Sequence, residues 1–256
     1  MIDLVQIRSI LKETDAIFFD QALRADVKKK GDADFVTRAD CEISEYLHKR
    51  LSQAFPTIGF ISEEGETEID ATKDYWILDP VDGTTNFMHG ISCCAVSLGL
   101  YADGDFAAGV IYLPYTDEMI WAQKGMGAYR NGERICCSSH GQLSDCLALM
   151  EYNAYFKNDH PAALEQAKRI FLACQDIRTL GSAAAELAYI ALGVADVFLG
   201  RYLKPWDYAA AVCIIREAGG VVGALDGELR VDRFNQHVIA SNAAVFDQVF
   251  ALLQEK

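Results

Sequence analysis

The most constraining feature of this sequence is the segment 79–86, which reads DPVDGTTN. It places two aspartates three residues apart and follows them directly with a glycine and two threonines. The preceding residues 75–78 (YWIL) are apolar and aromatic and predict a short buried strand. Clustered carboxylates bind hard divalent cations, and exposed backbone N–H groups beside a glycine bind phosphate. The segment therefore predicts a metal and phosphate site at a strand end, and a polar turn without a ligand is the alternative.

Acidic residues stand at the ends of predicted elements in three further places. Residues 62–65 (SEEG) follow the apolar pair Phe60-Ile61, and Asp207 lies at the opening of a predicted helix in segment 204–208 (KPWDY). Residues 37–40 (TRAD) have the spacing of a capping box, with Asp40 in place of the usual Glu. Taken alone, each acid is explained by a turn or by helix capping. The order in which these motifs occur along the chain is a more specific indication of function than any single motif.

This order of motifs resembles the inositol monophosphatase family. The resemblance rests on these segments: 37–40, 62–65, 76–87 (WILDPVDGTTNF), 180–184 (LGSAA), 205–207 (PWD) and 217–221 (EAGGV). It extends from about the first predicted helix to the last and so covers essentially the whole chain.

The resemblance implies an α+β fold, a layered α-β-α-β-α sandwich of the sugar-phosphatase type with two tightly packed lobes. Residues 1–140 would form an N-terminal α+β lobe that carries most of the metal ligands. Residues 141–256 would form a C-terminal α/β lobe that carries Asp207 and the substrate-side loops. The active site would lie between the lobes, and the sequence has no repeat or Pro-rich linker that would separate them.

Hydrophobic patterning predicts the elements of the two halves. The first half reads as helices over 3–25 and 38–53 and strands near 58–62, 75–79, 94–101, 105–113 and 118–122. The second half alternates strands at 146–151, 176–180 and 195–199 with helices at 160–174, 182–193 and 207–219, before closing strands and a helix at 243–255. The charged segment 28–34 (KKKGDAD) is expected to be a solvated loop, or a lid because it precedes Asp40.

The resemblance implies a ligand set for two or three Mg²⁺ ions. Glu63, Asp79 and the main-chain carbonyl of Val81 would hold the first ion. Asp79, Asp82 and Asp207 would hold the second, with Asp79 bridging. Two divalent ions about 4 Å apart stabilise both the attacking and the departing oxygen in phosphate ester hydrolysis.

The catalytic residues implied by the resemblance are Thr84, Asp40 and Glu63. The Thr84 hydroxyl would accept a hydrogen bond from the attacking water while donating to Asp40. The expected substrate-binding residues are Asp82, Gly83 and Thr84 around the phosphate, together with Gly181, Ser182, Ala183 and Arg201.

The expected substrate is a small phosphorylated metabolite, but the sequence departs from its inositol-preferring relatives. These carry a Glu seven residues before the aspartate of the W-D motif, where this chain has Gly200. Arg201 is a fork-shaped donor suited to a second phosphate, or else a surface arginine. Inositol monophosphate, fructose 1,6-bisphosphate, the 2′-phosphate of NADP and 3′-phosphoadenosine nucleotides all remain candidate substrates.

Composition excludes several other classes of protein. A formal charge of −14 in 256 residues argues against a nucleic-acid-binding surface, and no apolar run is long enough for a membrane span. The start of the chain lacks the features of a signal peptide, so we expect a cytoplasmic protein. The eight cysteines show no metal-binding spacing and are expected to be reduced and mostly buried, with the pairs Cys93-Cys94 and Cys136-Cys137 in strands.

Two functional classes follow from the resemblance. The first is a phosphoric monoester hydrolase of the inositol-phosphate phosphatase type, lithium-sensitive and homodimeric. The second is a regulatory or binding protein with vestigial activity. The presence of every implied ligand favours the enzyme.

Overall fold

The computed structural model describes residues 2–31, 34–65, 68–152 and 160–254. Two large β-sheets carry most of the fold, and a two-stranded antiparallel hairpin stands apart from them. The hairpin consists of β1 (Val27–Gly31) and β2 (Asp34–Thr37).

The first large sheet has seven strands, ordered along the chain from β3 to β9. They are β3 (Gly59–Ser62), β4 (Tyr75–Asp82), β5 (Ala95–Ala102), β6 (Asp105–Leu113), β7 (Glu118–Gln123), β8 (Ala128–Arg130) and β9 (Glu133–Ile135). β3 and β4 are parallel, whereas every later neighbour is antiparallel. The carboxyl ends of β3 and β4 therefore lie side by side.

The second large sheet has five strands in the order β11-β10-β12-β14-β13. They are β10 (Leu147–Tyr152), β11 (Asp176–Arg178), β12 (Val197–Leu203), β13 (Gly220–Ala224) and β14 (Gln236–Asn242). β10 is parallel to both of its neighbours, and β14 is antiparallel to β12 and β13.

Helices cover both outer faces and fill the space between the two sheets. They are α1 (Leu4–Lys12), α2 (Asp15–Phe18), α3 (Gln21–Ala25), α4 (Arg38–Ala54), α5 (Thr84–His89), α6 (His160–Ala173), α7 (Ala183–Ala191), α8 (Pro205–Glu217) and α9 (Phe246–Gln254), with a short 3₁₀ turn at Leu143–Asp145.

Three apolar clusters establish the order of the layers. α1 and α4 pack on one face of the seven-stranded sheet. α7 and α8 lie between that sheet and the five-stranded sheet, and α6 and α9 cover the far face of the five-stranded sheet. The expected α-β-α-β-α layering is confirmed. The division into lobes at residue 140 stays a prediction.

The expected single helix over 3–25 is wrong, because the chain turns twice within it. Thr14 donates its hydroxyl to the carbonyl of Leu11, 2.6 Å away, at the end of α1. Asp20 then accepts from the backbone N–H groups of Ala22 and Leu23 and begins α3. These local hydrogen bonds compete with a continuous helix.

The loop expected at 28–34 is also wrong over its described part. Residues 27–31 form β1 of the hairpin, and residues 32 and 33 lie outside the described residues. The hairpin is joined to the end of β3 by an ion pair between Lys30 and Glu64. Whether the segment acts as a lid stays a prediction.

The alternation expected for the second half is confirmed with shifted boundaries. β12 runs to Leu203 rather than ending at 199, so that Gly200 and Arg201 lie within a strand. α8 begins at Pro205, two residues before the expected start. The short strands β8 and β9 were not predicted.

The cysteines are all free, as expected, and Cys136 is exposed. The strand positions expected for the adjacent pairs are wrong. Cys93 and Cys94 precede β5, and Cys136 and Cys137 follow β9. Among the described residues, no helix has the length and apolar character that a transmembrane segment requires.

Candidate active site

The site is built around the end of β4, where the chain leaves the seven-stranded sheet. Tyr75–Asp82 is almost entirely buried, and its pairing with β5 shifts between Asp79 and Asp82. Asp79 Oδ1 accepts a hydrogen bond from the backbone N–H of Val81, 3.1 Å away. The irregular strand end therefore places both aspartates, each less than a tenth exposed, at one edge of the sheet.

Gly83 makes the turn from β4 into α5 possible. Its φ of 88° lies in the left-handed region, which favours glycine. A Cβ atom at this position would lie 3.0 Å from the carbonyl oxygens of Cys93 and Gly181. A glycine here thus lets the turn at 83 pack against the turn at 181, which comes from the other half of the chain.

Glu63 reaches the same edge because β3 runs parallel to β4. Its backbone N–H donates to the carbonyl of Leu78, 3.2 Å away, directly after the last paired residues of the two strands. Glu63, just after β3, and Asp79, near the end of β4, therefore lie at the same level of the sheet.

Asp207 comes to the site from the first turn of α8. It is the third residue of that helix, and its Oδ2 accepts from the backbone N–H of Lys204 at 2.8 Å. Asp207 is half-buried, and its negative charge contributes to the raised pKa of Asp79. Asp207 therefore both caps α8 and lines the site.

Asp40 combines a capping role with a contact to the threonine turn. Its Oδ2 accepts from the backbone N–H and hydroxyl of Thr37, which completes the capping box expected for α4. Its Oδ1 lies 3.4 Å from the hydroxyl oxygen of Thr84. The Thr84 hydroxyl also lies 3.1 Å from the carbonyl oxygen of Val81.

The turn at 181–184 is tied directly to Asp82. The carboxylate of Asp82 accepts from the hydroxyl of Ser182 and from the backbone N–H of Ala184, the latter at 2.7 Å. Ser182 also begins α7 by accepting from the backbone N–H of Ala185 at 3.3 Å. Ser182 therefore positions Asp82 and the first turn of α7 together.

These elements enclose a cleft of about 320 Å³, large enough for a small sugar phosphate. The predicted residues that line it are Glu63, Asp79, Val81, Asp82, Gly83, Thr84, Gly181, Ala183 and Asp207. Asp40 and Ser182 lie behind this wall and contact it through Thr84 and Asp82.

Arg201 is not among the residues that line the cleft. Its Nη1 donates to Gln166 Oε1, 2.5 Å away, on α6 at the far face of the five-stranded sheet. The geometry therefore gives no support to the expectation that Arg201 contacts a second phosphate. Strand alternation accounts for this placement. Gly200 and Arg201 are adjacent in β12, so they point to opposite faces of the sheet, and Arg201 points towards α6.

Sequence reasoning did not identify Glu151, Tyr152, Thr179 and Lys204, which also line the cleft. Glu151 had a usable signal, because it follows the apolar run 147–150 in the way that Asp79 follows 75–78. No comparable signal marks Thr179 or Lys204.

The carboxylates of the site are held in a poorly solvated, strongly negative environment. Burial raises the pKa of Asp40 to about 6 and the pKa of Glu63 to about 7. Burial, partly offset by the hydrogen bond from Ser182, raises the pKa of Asp82 to about 6. Burial and the neighbouring carboxylates raise the pKa of Asp79 and of Asp207 well above their usual range.

This donor set fits a hard divalent cation better than a proton or a soft metal. It offers carboxylate oxygens and the Val81 carbonyl without a thiolate or imidazole among them, which suits Mg²⁺. Within the described ranges, no three Asp, Glu, His or Cys side chains are grouped closely enough, as they are oriented here, to hold a metal ion. Asp82 and Asp207 are instead engaged with backbone N–H groups, as described above.

Comparison with known proteins assigns this arrangement to a family. The model of the inositol monophosphatase family matches residues 6–256. The chain belongs to the inositol monophosphatase family. The inositol-1-monophosphatase of Mesorhizobium japonicum is 37% identical over 229 residues, which cover 89% of this chain and 85% of that protein.

Two further relatives differ in what their names say. The fructose-1,6-bisphosphatase/inositol-1-monophosphatase of Thermotoga maritima is 34% identical over 89% of this chain and 86% of its own. The crystal structure of the extragenic suppressor protein suhB from Bartonella henselae superposes with a TM-score of 0.89 at 34% identity, covering 98% of this chain and 97% of that one. This family member therefore shares its α+β layered fold with relatives that are named for different roles.

Proposed function

We propose that this protein is an Mg²⁺-dependent phosphatase that hydrolyses monophosphate esters of inositol or of related small sugars. The observation that carries the proposal is the convergence of Glu63, Asp79, Asp82 and Asp207 on one cleft beside the Thr84–Asp40 pair. Four carboxylates in one buried site repel each other, and bound divalent cations would relieve that repulsion.

We assign the first ion to Glu63, Asp79 and the Val81 carbonyl, and the second to Asp79, Asp82 and Asp207. Bound Mg²⁺ would neutralise phosphate charge and lower the pKa of a coordinated water. Hydrogen bonds from Val81, Ser182, Ala184 and Lys204 to Asp79, Asp82 and Asp207 orient these carboxylates.

Thr84 and Asp40 would handle the attacking water. The Thr84 hydroxyl donates to Asp40, and its oxygen accepts a hydrogen bond from the water and orients it. The backbone N–H groups of Gly83 and Thr84 would donate to the phosphate oxygens. Gly83 permits this close approach because it has no side chain.

A test is to assay purified protein on a panel of phosphate esters with Mg²⁺ and with a chelator. Inositol 1-phosphate, fructose 1,6-bisphosphate, NADP and 3′-phosphoadenosine nucleotides cover the candidate substrates. We expect Mg²⁺-dependent release of phosphate from inositol 1-phosphate, with inhibition by lithium. Activity that a chelator leaves unchanged would contradict the two-metal assignment.

Fructose 1,6-bisphosphate is the second candidate substrate. The Thermotoga maritima relative carries both activities in its name, and Lys204 places a cationic side chain at the wall of the cleft. A higher kcat/KM for the bisphosphate than for inositol 1-phosphate would favour this candidate. A regulatory role, which the name of the Bartonella henselae relative leaves open, would be favoured if no ester on the panel were hydrolysed.

A further inference from the structure

Glu151 lines the cleft and carries a buried carboxylate oxygen. Among the described residues, this oxygen, Oε2, has no hydrogen-bond partner. Leaving a buried polar atom unpaired costs free energy, and such atoms are exceptional in native proteins. The roles proposed above for metal binding, water activation and phosphate binding do not use this side chain.

The position of Glu151 in the sheet fixes the face on which it lies. Its neighbour Met150 is buried among residues of α6 and α9 on the far face of the five-stranded sheet. Alternation along β10 therefore directs Glu151 to the opposite face, towards α7 and the cleft.

Gly200, which has no side chain, lies beside Glu151 in the sheet, so Glu151 supplies the side chain at this wall of the cleft. Glu151 is paired directly with Gly200 on the adjacent strand β12. A Cβ atom on Gly200 would lie 2.6 Å from Leu203 Cδ1 and 2.8 Å from Phe198 Cζ. A larger residue at 200 would therefore need these side chains to move, whereas Glu151 already supplies a carboxylate at the same level of the sheet.

The charges around Glu151 indicate which chemical group of a ligand can bind beside it. Burial, together with the acidic side chains of Glu186, Asp82 and Asp207, raises the pKa of Glu151 well above its usual range. A phosphate oxygen would be repelled at this wall. A substrate hydroxyl, which is neutral and donates a hydrogen bond, would satisfy the unpaired oxygen.

We propose that Glu151 is a specificity-determining residue whose carboxyl group turns to accept a hydrogen bond from a ring hydroxyl of the substrate. This inference rests on the proposed phosphatase function and narrows its substrate class. Phosphate monoesters of polyols and sugars, which carry free hydroxyls near the ester, are preferred over esters that have none.

The experiment compares Glu151→Gln with wild type on inositol 1-phosphate and on p-nitrophenyl phosphate, whose leaving group has no other hydroxyl. Glu133→Gln, at an exposed strand end far from the cleft, is the matched control. We expect kcat/KM for inositol 1-phosphate to fall about 3- to 10-fold in Glu151→Gln, as for loss of a hydrogen bond between neutral groups. The value for p-nitrophenyl phosphate should change by less than about twofold.

Thermal unfolding supplies a readout that does not depend on turnover. Because the unpaired carboxylate costs stability, Glu151→Gln should unfold at the same temperature as wild type or a few degrees higher. A marked fall in the unfolding temperature would identify Glu151 as a structural residue and overturn the proposal.

Three outcomes on activity separate the possibilities. Equal losses on both esters, with more Mg²⁺ required, would make Glu151 a metal ligand and contradict the proposal. Unchanged activity on both would show that it does not contact the substrate. If wild type hydrolyses neither ester, the phosphatase function itself fails, which is distinct from a failure of the Glu151 assignment.

Discussion

The Thr84 hydroxyl faces two acceptors, the Asp40 carboxylate at 3.4 Å and the Val81 carbonyl at 3.1 Å. A hydroxyl has one hydrogen and serves one acceptor at a time. If the Val81 carbonyl binds a cation, the Thr84 hydrogen must point to Asp40, and the lone pairs of the oxygen then face the cleft. Metal binding and orientation of the water are in this way linked through one side chain.

Thr84→Ala should lower kcat by about 100-fold or more while KM changes little, because the hydroxyl would act mainly in the transition state. Thr84→Ser is the matched control and should keep most of the activity, since it retains the hydroxyl. Steady-state kinetics on inositol 1-phosphate measure both constants. A variant that chiefly raises KM would make Thr84 a binding residue.

The raised pKa of Glu63 predicts how stability depends on pH in protein freed of metal. Its folded-state pKa of about 7 lies above its ordinary value of 4.5, so the folded protein holds an extra proton between these values. The ionised carboxylate therefore destabilises the fold above pH 7 and costs nothing below 4.5.

Glu63→Gln should accordingly be more stable than wild type near pH 8 by about 2 kcal/mol, a value reduced for the partial exposure of the side chain. The gain should shrink as the pH falls from about 7 to about 4.5. Denaturant unfolding in the presence of a chelator, with Glu133→Gln as control, measures the difference. If the stability gained by Glu63→Gln instead grows as the pH falls, the pKa of Glu63 is not raised by folding and the prediction is wrong.

Arg201→Ala should affect mono- and bisphosphate substrates equally. The side chain is buried and bonded to Gln166 on α6, so its loss should reduce stability by about 1–3 kcal/mol. The ratio of kcat/KM for fructose 1,6-bisphosphate to that for inositol 1-phosphate should stay constant. A selective loss on the bisphosphate would instead restore the role that the sequence predicts for Arg201.

The centre of the site could be predicted from sequence because the residues that form it are close together along the chain. Asp79 and Asp82 lie within one strand end, and Gly83 and Thr84 follow in the same turn. Glu63 and Asp207 are far away along the chain, and only the resemblance of the ordered motifs related them to this turn. Local patterning also predicted most of the strands and helices, since each buries one continuous apolar face.

The remainder depends on strand register, which the sequence does not specify. Gly200 and Arg201 were expected outside a strand, whereas β12 includes both and directs Arg201 away from the cleft. Glu151 enters the site through its pairing with Gly200. A shift of one residue in that pairing would exchange the faces, and local patterning cannot resolve such a shift.

The central claim is that the carboxylates at the end of β4 bind the Mg²⁺ that hydrolysis requires. The most direct test is phosphate release from inositol 1-phosphate as Mg²⁺ is titrated into metal-free wild type, Asp79→Asn and the exposed-surface control Asp145→Asn. We expect no activity without Mg²⁺, saturable activation of wild type and of Asp145→Asn, and a loss of at least about 100-fold in Asp79→Asn at every Mg²⁺ concentration. Activation of Asp79→Asn at the same Mg²⁺ concentration and to the same rate as wild type would contradict the account.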